Sequence, residues 1–224
     1  MNIVLTENIL RFITSMILAG CFWIVFFYLP NVVFSYMLLG ILAAILTLEW
    51  KNIFRLNNFW FWFIMPWYPI LPFAMMVYMS NVSCYRTLIY YLFIIVFSFD
   101  STAYIVGKLL GFRKIVPQIS PGKTIEGCIG GFIGALITFY MAIRYQNVTI
   151  AFHEMFIVTF IVCCIAFAGD IFESFLKRQA NIKDSGIILP GHGGFLDRFD
   201  AVIFAAYFFF FFRDELVQIF CIAP

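Results

Sequence analysis

Residues Ile150–Leu176 read IAFHEMFIVTFIVCCIAFAGDIFESFL, a stretch whose only acids are Glu154, Asp170 and Glu173. Spanning a bilayer takes about 20 predominantly apolar residues. Lipid offers nothing to backbone N–H and C=O groups, so a run this long must satisfy them internally as a helix. Six further segments repeat the pattern: Phe12–Leu29, Val32–Leu48, Phe59–Val77, Leu88–Val106, Ile125–Ile143 and Phe199–Phe212. The Phe59–Val77 segment carries Pro66, Pro69 and Pro72, so it reads as a kinked span or as two half-helices. The chain of 224 residues is 64% hydrophobic, 21% aromatic and only 12% charged, about half the charged share of a soluble domain. The predicted fold class is all-α, a polytopic integral membrane helical bundle. It has about seven transmembrane helices, or up to nine if the proline-rich and terminal segments divide.

No soluble domain, linker or repeat interrupts this pattern, so residues 1–224 read as a single membrane domain. Residues 1–97 form a hydrophobic scaffold half, and residues 98–224 hold nearly all the polar chemistry in two long connectors. The apolar run after Arg11 lacks a small-residue cleavage site and reads as a retained first span. The six cysteines form no C-x-x-C pair and suggest neither a disulfide framework nor a zinc site. With the N-terminus inside, eleven Lys and Arg fall in inside segments, and only Arg86, Arg144 and Arg213 fall outside. That asymmetry predicts N-in, C-out, with both polar connectors in the cytoplasm.

The connector Ser174–Asp200, SFLKRQANIKDSGIILPGHGGFLDRFD, packs seven charged residues, a histidine and four glycines between apolar spans. Charge beside hydrocarbon costs several kcal/mol per group unless it is paired, hydrated or liganded, and therefore marks a functional-site candidate. Asp170, Glu173, Ser174 and Lys177 recur at i, i+3, i+4 and i+7 and share one helix face. The plainer reading is an interhelical salt-bridge cluster with a Glu173–Lys177 i,i+4 pair, yet Asp170 lies deeper, behind Gly169. Beyond Lys177, Arg178, Lys183 and Asp184 comes Pro190-Gly191-His192-Gly193-Gly194, glycine-rich enough for backbone to approach a ligand closely. Asp197-Arg198-Phe199-Asp200 opens the last span. Either aspartate alone reads as a helix cap. Two of them, with a third acid in the preceding helix, read as oxygen ligands for a hard cation. His192 alone is more often a hydrogen-bonding loop residue than a metal ligand.

An upstream cluster, Asp100–Gly127, places Asp100, Tyr104, Gly107 and Lys108 on one face if the helix continues. Ser120-Pro121-Gly122-Lys123-Thr124 then precedes a helix beginning near Thr124 or Ile125, whose N-terminus favours an anion. The spacing is not that of a Walker A loop, and the same residues also fit a basic anchor with a helix cap. Neither a Ser-His-Asp nor a Cys-His arrangement is present, nor a basic aromatic nucleic-acid surface. Acids for a divalent cation among many Lys and Arg suit phosphoryl or nucleotidyl transfer, where positioning and charge neutralisation carry catalysis.

The run Ser174-x-x-Lys177-Arg178-x4-Lys183-Asp184-Ser185-Gly186-x-x-Leu189-Pro190-Gly191-His192-Gly193-Gly194-x-x-Asp197-Arg198-x-Asp200 resembles the signature of the phosphatidate cytidylyltransferases, or CDP-diacylglycerol synthases. Asp100, Ala103-Tyr104, Gly107-Lys108, Gly111 and Ile119–Gly127 extend the likeness over about the C-terminal 130 residues. The first half resembles the family only as a multi-span region.

The resemblance implies CMP transfer from CTP to phosphatidate, giving CDP-diacylglycerol and pyrophosphate for phospholipid synthesis. It implies magnesium, leaving a monovalent cation beside it open, and a homodimer at the cytoplasmic face of a bacterial inner membrane. Carried over to this chain, Asp170 and Asp197 hold the metal, and Lys177, Arg178, Lys183 and Arg198 hold phosphates. Ser120, Lys123 and Thr124 bind triphosphate or lipid head group, and His192, Gly193 and Gly194 form a closing loop. Asp100, Tyr104, Glu173, Asp184 and Asp200 are supporting or alternative residues. A CTP-dependent lipid-alcohol kinase would need a base for the hydroxyl. A transporter could use Asp170 as an ion relay, but it has no reason to bind CTP with magnesium.

Overall fold

The computed structural model describes residues 16–17, 20–54, 58–189 and 193–220. Five helices in it are long and apolar enough to cross a membrane: α1 (Asn31–Ile53), α2 (Phe59–Asn81), α3 (Ser83–Leu110), α4 (Ile125–Tyr145) and α5 (Phe152–Gln179). Between α3 and α4 runs a two-stranded antiparallel hairpin, β1 (Lys114–Val116) and β2 (Ser120–Thr124). Helices α6 (Leu196–Phe211) and α7 (Arg213–Ile219) follow. The all-α membrane class therefore holds, with five of the seven expected spans formed at full length. The seventh is α6, of 16 residues. The first falls partly outside the described residues, and residues 20–28 of it are helical.

The proline-rich segment does not divide. Pro69 lacks an N–H and its ring crowds the carbonyl four residues back; the helix widens to a π turn over Pro66–Ile70 and runs on to Asn81. A second π turn, Ile45–Glu49, interrupts α1 just before Trp50. Such turns gather at functional sites because they re-aim the side chains that follow.

Contacts divide the chain into two compact units. One comprises Met1–Asn81 with Leu176–Phe199, and the other Val82–Phe175 with Asp200–Pro224. The division interleaves the sequence. In the first unit, the Ser35 and Ser80 hydroxyls lie 3.0 Å apart and the Asn81 amide donates to Ser35. These bonds join α1 to α2 through polar groups that hydrocarbon could not serve. The buried Trp50 indole donates to the Phe61 carbonyl at 3.2 Å. In the second unit, α3 and α4 pack closely because small residues face the contact. A Cβ added at Gly131 would stand 2.8 Å from the Phe99 ring, and one at Gly130 2.5 Å from Val106.

Candidate functional site

In the first unit, helix α5 has to stop for the polar connector to begin, and it stops at Asn181. This residue adopts φ 58°, a left-handed conformation that Asn tolerates. Ile182 N–H donates to the Lys177 carbonyl and Asn181 N–H to that of Arg178, a Schellman pattern that satisfies the last carbonyls of the helix. Lys177 and Arg178 lie in the final turn, where the helix dipole favours cations, and Arg178 also donates to the Ile182 carbonyl.

The turned chain then wraps two carboxylates. Asp197, in the first turn of α6, accepts from the Lys177 ammonium at 2.7 Å with side-chain exposures of 5% and 12%. It also accepts from the Ser185 N–H, the Ser185 hydroxyl and the Gly194 N–H at 2.7–3.1 Å. Burial pushes this carboxyl up, but the Lys177 charge and the donated hydrogen bonds outweigh it and hold it below the usual aspartate range. Reaching back three residues to Gly194, Asp197 does the work of a capping-box acid.

The second carboxylate is Glu49, which the sequence reading passed over. It is fully buried and accepts from Phe195 N–H at 2.7 Å, Leu196 N–H at 2.8 Å and the Ser185 hydroxyl at 3.0 Å. Those two amides are donors that the start of α6 leaves without a helical partner, so α1 caps α6. One signal was available: Glu49 is the sole acid between Glu7 and Asp100, and an acid in a spanning segment is a site candidate by default.

Two loop glycines are explained by this packing. Gly193 has φ 79°, and a Cβ there would lie 2.5 Å from Asp197. A Cβ at Gly194 would lie 2.5 Å from the Glu49 carboxyl carbon. Lys183 and Arg198 are exposed, as phosphate-binding side chains can be, and so is Asp184. His192 lies outside the described residues, so the closing-loop expectation rests on Gly193 and Gly194.

The second unit builds its own acid–cation pair. Thr124 caps α4, its hydroxyl accepting from Gly127 N–H at 3.1 Å. Glu126 accepts from the Phe112 and Arg113 N–H groups and from the Arg113 side chain, which fixes the entry to the hairpin. No strand signal is legible here, since Pro121 and Gly122 disfavour a ladder; a two-stranded ribbon accepts proline because both strands are edges. The hairpin brings Lys123 to Asp170 as an ion pair and sets its ammonium 5.7 Å from the centre of the Phe167 ring. Ser174 donates weakly to Asp170 at 3.5 Å. Ser120 sits at the far end of β2, paired with Val116, and Thr124 is buried in its cap. Of the basic motif, Lys123 is the residue brought to an acid.

On the face expected from Asp100, Tyr104, Gly107 and Lys108, the Lys108 ammonium lies 5.7 Å from the Tyr104 ring centre and Gly107 packs on Thr124. Glu173 and Asp200 are buried. Among the described residues, no three His, Cys, Asp or Glu side chains gather as a metal cage.

The family model of the cytidylyltransferase family matches residues 2–215. The phosphatidate cytidylyltransferase of Rickettsia typhi is 34% identical over 214 residues, covering 91% of each chain. That of Bacillus subtilis is 37% identical over 182 residues, covering 79% of this chain and 68% of the relative. That of Haemophilus influenzae is 44% identical over 133 residues, so the aligned part spans 46% of that relative's length and 55% of this chain.

Proposed function

From the premise that this chain belongs to the cytidylyltransferase family, we propose that it is a phosphatidate cytidylyltransferase. It transfers CMP from CTP to phosphatidate and releases pyrophosphate. The observation that carries this reading is the likeness to the Rickettsia typhi enzyme over nearly the whole of both chains, which takes in every polar cluster described above.

The chemistry asks little of a general base. The phosphate of phosphatidate is already an anion at neutral pH, so the protein's task is to bring two polyanions together and hold the departing pyrophosphate. Lys177, Lys183, Arg178 and Arg198 supply positive charge in the first unit, and Lys123 supplies it in the second. Each of these two half-buried lysines is held in place by an aspartate, Lys177 by Asp197 and Lys123 by Asp170. A lysine restrained in this way meets a phosphate with less side-chain entropy left to lose.

The cofactor we assign is magnesium, and Asp170 in the second unit and Asp197 in the first are each candidate ligands for it. The donor chemistry fits: Mg²⁺ is usually bound through one or two carboxylates, with substrate phosphates and water completing the shell. It does not require a protein cage. The ion would neutralise charge on the triphosphate. The two carboxylates differ in how they can receive it. Asp170 is 21% exposed and need only release Lys123, whereas Asp197 must exchange Lys177 or one of its loop donors.

The enzyme we envisage is a homodimer in a bacterial inner membrane with both polar connectors in the cytoplasm. The test is to incubate purified protein with phosphatidate, magnesium and CTP labelled at the α-phosphate, beside an Asp170→Asn variant. Label in CDP-diacylglycerol, lost in the variant, is the expected result. Folded protein that binds CTP and labels no lipid would overturn the choice of acceptor, and protein that binds no CTP would overturn the reaction.

A further inference from the structure

We infer that Glu49 is a positioning residue for this reaction, acting from α1 on the loop that carries Asp197; the inference rests on the cytidylyl-transfer reading. Every hydrogen bond described for its carboxylate goes to the connector: Ser185 at one end, Phe195 and Leu196 at the other. One turn further along α1, the Asn52 amide donates to the Ser185 carbonyl at 2.8 Å. The end of α1 thus grips both ends of a loop more than 130 residues away in sequence. Gly186 and Gly194 leave the room it needs, since a Cβ at either would fall 3.0 Å or less from the Glu49 side chain.

Ser185 makes the connection to the proposed site. Its hydroxyl lies 3.0 Å from a Glu49 oxygen and 3.0 Å from an Asp197 oxygen, and a hydroxyl has one proton to give. Ser185 therefore serves one carboxylate at a time. When Asp197 exchanges a donor for a ligand, the Ser185 proton turns to Glu49, and the start of α6 keeps its place because the Phe195 and Leu196 amides stay held. Glu49 touches neither substrate nor reacting atoms; it acts through Ser185 and the start of α6.

The test uses the full-length enzyme in detergent with three variants, Glu49→Gln, Glu49→Asp and Ser185→Ala. The readouts are kcat, KM for phosphatidate, unfolding temperature and the rate of tryptic cleavage after the exposed Lys183. Removing a carboxylate that orients a site commonly costs about 10- to 100-fold in activity, so Glu49→Gln is expected to lose kcat by about that factor. KM should hold, cleavage after Lys183 should be faster, and Glu49→Asp should recover part of the loss. Glu49→Gln with wild-type kcat and wild-type cleavage would overturn the inference. So would an activity loss fully explained by a smaller folded fraction. If Glu49→Gln does not fold, Ser185→Ala and Glu49→Asp decide, wild-type kcat in both being the refuting result. Should the wild type transfer no CMP, faster cleavage in Glu49→Gln would keep the loop-holding role and discard the transfer reading; unchanged cleavage would discard both.

Discussion

Asp197 shows how much one carboxylate can be asked to do. Its oxygens take Lys177, both donors of Ser185 and the amide of Gly194, so losing it strips the loop of its centre. Breaking a buried pair by deleting one partner commonly costs about 3 to 5 kcal/mol. Lys177→Met should sit at the low end, about 3 kcal/mol, because the amide and hydroxyl donors still serve Asp197; a lower unfolding temperature in detergent measures it. The pH dependence follows from the lowered pKa of Asp197. A carboxyl lower in the folded than in the unfolded state stabilises the fold above the ordinary aspartate value, about 3.9. That stability is lost as pH falls through the still lower folded value. The unfolding temperature in detergent should therefore hold steady at neutral and mildly acid pH and drop only below about pH 3.9. A drop near neutrality would assign the change to another group. The sequence made Asp197 legible because it stands in a dense local motif. Glu49 was not, because its partners Ser185 and Leu196 are separated from it by most of the chain and no periodicity links them. Lys177 makes the same point: local spacing offers Glu173 as its neighbour, while the fold supplies Asp197 at 2.7 Å.

At the scale of elements, the helices were legible and their irregularities were not. Apolar length alone gives α3, α4 and α5, because lipid leaves a long apolar segment no other regular form. The π turns in α1 and α2 depend on how a freed carbonyl is served by its surroundings, and the β1–β2 hairpin depends on Glu126 holding the Phe112 and Arg113 amides. Neither is written in local propensity. The glycines of α4 do carry a readable message, since Gly127 and Gly131, like Gly130 and Gly134, fall four apart as in close-packed membrane helices. Gly131→Leu would drive a side chain into Phe99 and Ala103. Overpacking of this kind costs about 1 to 3 kcal/mol. The unfolding temperature should fall accordingly, and CMP transfer should fall with it, because β2 and Lys123 lead directly into α4. Ile129→Leu, at a position 58% exposed on the same helix, should change neither. An equal effect of both substitutions would mean that α3–α4 packing does not govern the hairpin.

At the scale of the whole molecule, sidedness is a matter of charge and can be tested without substrate. Eleven of fourteen Lys and Arg fall in segments that alternate spanning assigns to one side, and such excess charge is held in the cytoplasm. The first unit supplies an independent check on the alternation, because Asn52 and Glu49 bond the loop from Ser185 to Leu196. The end of α1 and that loop must therefore share a face. Trypsin added to inverted membrane vesicles should cut after Lys183, and trypsin added to intact spheroplasts should leave that bond whole. Arg144, at the end of α4 after an odd number of crossings, should show the opposite pattern if its backbone is open to the protease. Cleavage after Lys183 only from the outside would reverse the orientation and deny a cytosolic nucleotide access to Lys177 and Asp197. Cleavage from the inside leaves those residues where CTP and magnesium are found, with the acyl chains of the lipid acceptor able to remain in the bilayer.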